Sequence, residues 1–361
     1  MLKAKWTFGL GMLVWVLLLG ACGANEEIVL EEMPPTETEV QVQEPVTEPR
    51  VPDLPGGLLV MIDNHPNARP QSGLDKADLV YEILAEGGIT RYMALFYSEK
   101  SDMVGPVRSA RYYYVQLARG MDLPLAHAGG SQEALTMIRN IGVKDMDEIY
   151  NSEKYFWRDQ SRRAPHNLYT STDRLTEGAA AKKYEVKTPE MIPESDAFDG
   201  ESLKGGTLTI DYATGRYRYS VSWVWEEDTG QPGEPGQPGG RYRRLINDET
   251  HETLEGDVLT ADTIFILEAR TRDVVKDGTP MSEIDIVGSG SAVCIVENQV
   301  MRGTWAKEAA GEPLRIMDEQ GGVMGQKAGK TWIQVVPAMR NVHYELETEV
   351  HTAPDPTDDP E

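Results

Sequence analysis

From residue 57 onward, apolar residues recur in short runs bounded by turn residues, not in long helical stripes. Leu58 to Ile62 is a continuous apolar run closing on Asp63-Asn64. This predicts a strand buried on both faces, with polar residues at its carboxyl end. Ala77 to Leu84 fits a strand or a short helix, and after the Gly87-Gly88 turn the stretch Thr90 to Tyr97 predicts another strand. Ser109 is placed as the cap of a helix through Arg119, with Gly120 as its stop. Leu123 to His127 follows as a strand, then Gln132 to Asn140 as a helix stopped by Gly142. This alternation puts residues 57–196 in the α/β class, a mixed sheet with flanking helices.

Beyond Asp196 the period changes to that of strands. Thr207 to Ile210, Tyr217 to Trp225, Thr263 to Ala269, Glu283 to Gly288, Ser291 to Glu297, Gln299 to Lys307 and Lys330 to Val336 are short strand-like segments with turn signals between them. Residues 203–345 are therefore expected to form a mainly β domain. It is interrupted by a Pro/Gly-rich insert at 228–240, the one low-complexity stretch inside the fold.

The N-terminus changes the picture. Lys3 and Lys5 precede an apolar run from Trp6 to Ala21, too short for an ordinary spanning helix, which reads as the core of a signal peptide over residues 1–21. It ends in Leu19-Gly20-Ala21-Cys22, similar to a bacterial lipobox, and that resemblance implies cleavage before Cys22 and diacylation of its thiol. The remaining cysteine, Cys294, lies in an apolar run and reads as a small buried side chain, so the fold stands without disulfides.

Of the net charge of −24, residues 25–53 carry −8 and residues 345–361 carry −7, while residues 1–24 carry +2. That leaves −11 for residues 54–344, which argues against nucleic-acid binding. Residues 22–53 read as a lipidated, disordered acidic tether, and residues 346–361 as a disordered acidic tail.

Candidate chemistry gathers in the first domain. Arg108 and Arg111 stand at the predicted helix start, where a cation is unfavourable unless an anion binds there, and Gly129-Gly130-Ser131 opens a second helix with free N–H groups. Arg91, Arg158, Arg162 and Arg163 add to the same rim. Structural pairing with Asp63, Asp78, Glu82 and Glu86, or plain surface solvation, is the competing reading; it is favoured for any one of these arginines, and the anion site is favoured for Arg108 and Arg111 jointly. Asp63 and Asp78 can be read as oxygen ligands for Mg²⁺. His166, between Pro165 and Asn167, marks a fixed turn near Arg158 and Asp159, whereas His65 and His127 read as structural. There is no Walker loop or dinucleotide fingerprint, so no nucleotide cofactor is expected.

These residues also carry a family resemblance. Met61-Ile62-Asp63-Asn64-His65-Pro66 with Arg69-Pro70-Gln71, Glu86 to Arg91, Gly105 to Arg111, Gly129-Gly130-Ser131, and Arg158-Asp159 with Ala164 to Asn167 resemble the YerB-like family of bacterial lipoproteins. Gly303-Thr304-Trp305 and Gly329 to Pro337 resemble that family's C-terminal domain. The resemblance implies a two-domain, membrane-anchored extracytoplasmic lipoprotein without an established reaction. A distant similarity to the LytR-CpsA-Psr family, with Asp63, Arg69, Asp78 and Arg108 in its roles, implies Mg²⁺-dependent handling of polyprenyl-pyrophosphate-linked glycan.

Two functions stay open. One is a binder of an anionic envelope or cell-wall glycan, or of a wall-synthesis protein, using Asp63, Asn64, Arg69, Asp78, Glu86, Arg91, Arg108, Arg111, Ser131, Arg158, His166 and Asn167. The other is a Mg-dependent enzyme of the second kind.

Overall fold

The computed structural model describes residues 51–213, 218–227, 239–276 and 278–347. The signal peptide, Cys22, the tether up to residue 50, the heart of the 228–240 insert and the tail beyond residue 347 lie outside the described residues.

In chain order the strands of the first half are β1 (Leu58–Asp63), β2 (Leu79–Leu84), β3 (Thr90–Phe96), β4 (Leu125–His127), β5 (Asp145–Asp147), β6 (Trp157–Arg158) and β7 (Leu168–Tyr169). They are interleaved with α1 (Tyr112–Met121), α2 (Gln132–Ile141) and α3 (Thr172–Ala181). The second half contributes β8 (Glu201–Ser202), β9 (Thr207–Ala213), β10 (Tyr219–Glu227), β11 (Gly240–Ile246), β12 (Glu249–Thr250), β13 (Thr260–Ala261) and β14 (Thr263–Glu268). It continues with β15 (Thr271–Lys276), β16 (Thr279–Ile284), β17 (Gly288–Val296), β18 (Gln299–Lys307), β19 (Arg315–Asp318), β20 (Thr331–Val336) and β21 (Val342–His343). The N-terminal region is thus a mixed sheet with helices and the C-terminal region mostly antiparallel strands, as the hydrophobic pattern predicts.

The pattern did not show that one sheet runs through both regions. Its order is β19-β18-β17-β14-β20-β2-β3-β1-β4-β5, and the late strand β20 lies between β14 and β2, parallel to both. β1, β2 and β3 are buried along their whole length, which explains the unbroken apolar run of β1 and the largely apolar β2 and β3, with Glu82, Thr90 and Arg91 as buried exceptions. A second sheet, β12-β11-β10-β9-β21, packs on the face of the large sheet that carries Glu82, Tyr92 and Trp332: Trp223 meets Trp332 edge to face at 5.3 Å, and Tyr212 Oη donates to Gln334 Oε1 at 2.9 Å. Among the described residues no helix is long and apolar enough to cross a membrane.

Local details correct several expectations. The folded part starts before Gly57, since Asp53 and Leu54 N–H groups donate to Ser98 and Tyr97 carbonyls and Leu54 is buried. It extends into the predicted tail, where the Glu347 N–H donates to the Ser202 carbonyl. Ser109 does not cap α1. Val107, Arg108 and Ala110 donate to the carbonyls of Leu168, Met61 and Gly129, and this holds the segment extended until Arg111, the actual cap. Gly120 is inside α1, and a Cβ there would collide with the Glu312 carbonyl; Asp122, in the left-handed conformation, ends the helix. The helix α3, capped by Ser171, and the strand β11 were absent from the sequence reading. Cys294 is fully buried, and burial pushes its thiol pKa up.

Candidate functional site

β1 ends on Asp63 and β3 begins at Thr90, so the antiparallel register sets Asp63 opposite Arg91 at one end of the large sheet. The Asp63 side chain is 5% exposed. Its Oδ2 lies 2.7 Å from His166 Nδ1 and 3.2 Å from Arg108 Nε, and its Oδ1 accepts the His65 N–H at 3.0 Å. The His65 ring stacks on His166 with centroids 4.4 Å apart and planes inclined by 17°. Burial lowers the His65 pKa below its ordinary value; His166, Arg108 and Arg69 act in the same direction and Asp63 opposes them.

Arg91 carries the arrangement across the strand end. Its Nη1 donates to the Ser109 carbonyl at 2.7 Å and its Nη2 reaches Glu86 Oε2 at 3.5 Å, while Arg111 Nε donates to the other Glu86 oxygen. Burial disfavours the charged form of Glu86, yet the Arg111 and Arg91 guanidiniums hold its carboxyl below the usual range. Three guanidiniums therefore face two carboxylates in one mouth. Beyond Arg111 lies a groove of about 960 Å³, lined by Glu86, Ser109, Arg111, Ser131, Met137 and Met281 among others. Ser131 caps α2 by accepting the Ala134 N–H at 3.2 Å. Gly129 precedes it at φ 60°, with its N–H on Asp147 Oδ1 at 2.7 Å.

The 64–71 loop is fixed from beneath. Asn64 Nδ2 donates to the Thr90 and Tyr219 hydroxyls, both at 2.6 Å, and its Oδ1 accepts from Arg69 Nε at 2.9 Å. Arg162 holds the same loop through the carbonyls of Ala68 and Pro70. On the other rim, Asn167 is buried, donating to the carbonyls of Asp159 and Arg162 and accepting Arg158 Nη1 at 3.1 Å. His127 is buried on Gly129 O and Asp145; burial pushes its pKa down, but the Asp145 hydrogen bond and the Asp147 charge outweigh it and hold it above the ordinary value.

Of the residues singled out in the sequence, Asp63, Asn64, Arg69, Glu86, Arg91, Arg108, Arg111 and His166 come together, Ser131 lines the adjoining groove, and Arg158 and Asn167 form a supporting turn. Asp78 does not join them. It precedes β2 at the opposite end of β3, where its carboxylate accepts the N–H groups of Tyr97 and Ser98. Five to six residue steps along β3 separate it from Asp63, roughly 17 to 20 Å. The two carboxylates cannot share a Mg²⁺ ion, and with them goes the basis of the LytR-CpsA-Psr likeness. Among the described residues no group of three or more His, Cys, Asp or Glu is arranged to hold a metal.

Sequence reasoning read His65 as structural, although its ring stacks on His166 at the mouth, and it missed the ion pair formed by Arg244. Arg244 and Glu82 are both fully buried and 2.7 Å apart. Arg244 Nε donates to His251 Nδ1 at 3.1 Å, and His251 Nε2 to Gln71 Oε1 at 2.9 Å, which returns to the site through Gln71 Nε2 on the Asp63 carbonyl at 3.0 Å. The signal was present: in β11 the inward positions alternate as Tyr242, Arg244 and Ile246.

The fold and the mouth define a class: a protein of two regions on one shared sheet, with a basic, carboxylate-braced cluster at the sheet's end. Residues 45–185 match the family described as "Protein of unknown function (DUF3048) N-terminal domain", and residues 207–333 match its C-terminal domain. The chain belongs to this family. It is 30% identical over 339 residues to "Putative lipoprotein YerB" of Bacillus subtilis (strain 168), a match covering 92% of this chain and 96% of that one. The crystal structure of YerB from Bacillus subtilis is similar with a TM-score of 0.70 at 30% identity, covering 80% of this chain and 93% of that one.

Proposed function

We propose that this chain is a lipoprotein anchored through Cys22 on the extracytoplasmic face of the membrane, and that it binds an anionic envelope ligand, such as a phosphate-bearing or carboxylate-bearing wall glycan. The observation that carries the reading is the basic character of the mouth: Arg91, Arg108 and Arg111 gather on two carboxylates, Asp63 and Glu86. Arg91 is 7% exposed at its side chain, and its Nε has no hydrogen-bond partner among the described residues. A buried guanidinium nitrogen left in this state is costly, and an added anion would satisfy the excess. The adjoining groove offers room for the rest of such a ligand.

Two measurements test the halves of the proposal. Cys22→Ala should leave a larger, unlipidated precursor that no longer partitions into detergent phases; normal size and partitioning would refute the anchor. For the mouth, phosphate or pyrophosphate should raise the melting temperature of the wild type through binding to the folded state, by an amount that grows with anion concentration. Arg108→Gln, in a side chain that is 28% exposed, should cost about 1 kcal/mol of stability and abolish the anion-induced shift. A variant that still responds like the wild type places the anion elsewhere.

A further inference from the structure

The two stacked imidazoles at the mouth are assigned opposite roles by their partners. His166 Nδ1 lies 2.7 Å from Asp63 Oδ2, and a carboxylate only accepts, so Nδ1 carries a proton and, in the neutral imidazole, Nε2 keeps its lone pair. His65 Nδ1 accepts the Asn67 N–H at 3.1 Å, so its proton is on Nε2. Neither Nε2 has a partner among the described residues, and neither is buried. The same is true of the terminal nitrogens of Arg108, whose Nε faces Asp63. One mouth thus presents a lone pair, an N–H on the ring stacked 4.4 Å away, and an open guanidinium fork.

We propose that His166 is the general base of a hydrolytic site acting on a phosphodiester within the anionic ligand, an inference that rests on the binding role given above. His166 Nε2 takes a proton from water as the water oxygen attacks phosphorus. The bond from phosphorus to one ester oxygen breaks, and the imidazolium returns the proton to that departing oxygen. One water is consumed, and the diester becomes a monoester and an alcohol. No hydroxyl or thiol hydrogen-bonds to His166 among the described residues, so water is the nucleophile. The Arg108 fork matches a phosphoryl group, and with the His65 N–H it supplies donors for the non-bridging oxygens where charge gathers. Asp63 is a positioning residue: it fixes the tautomer that leaves Nε2 free.

The test uses the full chain in detergent with bis(p-nitrophenyl) phosphate, following release of p-nitrophenolate, and in parallel the melting shift with inorganic phosphate. The wild type should turn the diester over with or without EDTA, His166→Gln should lose about 10²- to 10⁴-fold in rate while still binding phosphate, and Asp63→Asn should lose rate with an altered pH profile. His65→Gln, at an exposed turn, guards against loss of folding in the other variants and should slow turnover with little change in melting. Turnover by His166→Gln at the wild-type rate, or turnover abolished by EDTA, would overturn the proposal. A phosphate shift without any diester hydrolysis would also overturn it and leave the binding role standing, whereas absence of both would remove the two together.

Discussion

Arg244→Met is expected to lower the stability of the folded chain by about 3 to 5 kcal/mol, the range for stripping one partner from a buried ion pair. Arg244 and Glu82 are each 0% exposed, with Nη2 2.7 Å from Oε2. The guanidinium lies 4.4 Å from the Trp332 ring and 5.1 Å from that of Trp223, so aromatic faces, not bulk solvent, surround it. Glu82 Oε1 accepts the Thr90 and Tyr219 hydroxyls, which stabilise the carboxylate but leave its charge uncompensated once Arg244 is gone. The double variant Glu82→Gln with Arg244→Met removes both charges and should recover much of the loss. Arg218→Gln, which breaks the exposed pair with Asp248, should cost less than about 0.5 kcal/mol. Urea unfolding of the four proteins reads these differences directly, and a loss under about 1 kcal/mol for Arg244→Met would mean that the pair is not closed off from solvent.

The second large effect concerns the two halves of the chain. Expressed alone, residues 53–200 should fail to reach a cooperatively folded state, although they contain the whole mouth. β2 is buried along its length by pairing with β20, from Leu79 opposite Thr331 to Ile83 opposite Val335. Without the C-terminal half its edge would be open, and Glu82, Tyr92 and the face beneath the second sheet would meet water. The lost cover includes Tyr219, Arg244 and Trp332, buried residues that meet Asn64, Glu82 and Tyr92 of the first half. Near-ultraviolet circular dichroism and amide dispersion should be native-like for residues 51–347 and absent for the fragment. A fragment with a sharp melting transition would show that the shared sheet adds little.

These expectations separate what could be read from the chain and what could not. An unbroken apolar run marked β1, because a strand covered on both faces must be apolar at successive positions, and strand-like residue patterns between turn signals marked β3 and β20. Polar residues closing β1 placed Asp63 and Asn64 at a strand end, and glycine and serine punctuation located the start and stop of α2. Local chemistry misled at Ser109: its capping preference is worth about 1 kcal/mol and gives way to hydrogen bonds that bind Val107 to Ala110 to three other segments. The motifs around Asp63, Glu86, Arg108, Gly129 and His166 carried the family, and the fold brings eight of the residues singled out there to one place.

Distances between strand ends were beyond the sequence alone. Asp63 and Asp78 are separated by 15 positions and look like neighbours, yet β3 runs between them and puts them at opposite ends of one sheet. Pairing partners were equally hidden: Arg108 with Asp63, His166 with the same carboxylate 103 residues earlier, and Arg244 with Glu82 162 residues away. Local pattern determined which segments are strands and which faces are apolar, since those follow from backbone period and transfer free energy. Strand order and register decided which charges meet and which imidazole nitrogen faces a carboxylate, because Coulomb and hydrogen-bond energies depend on ångström-scale separations that no local pattern contains.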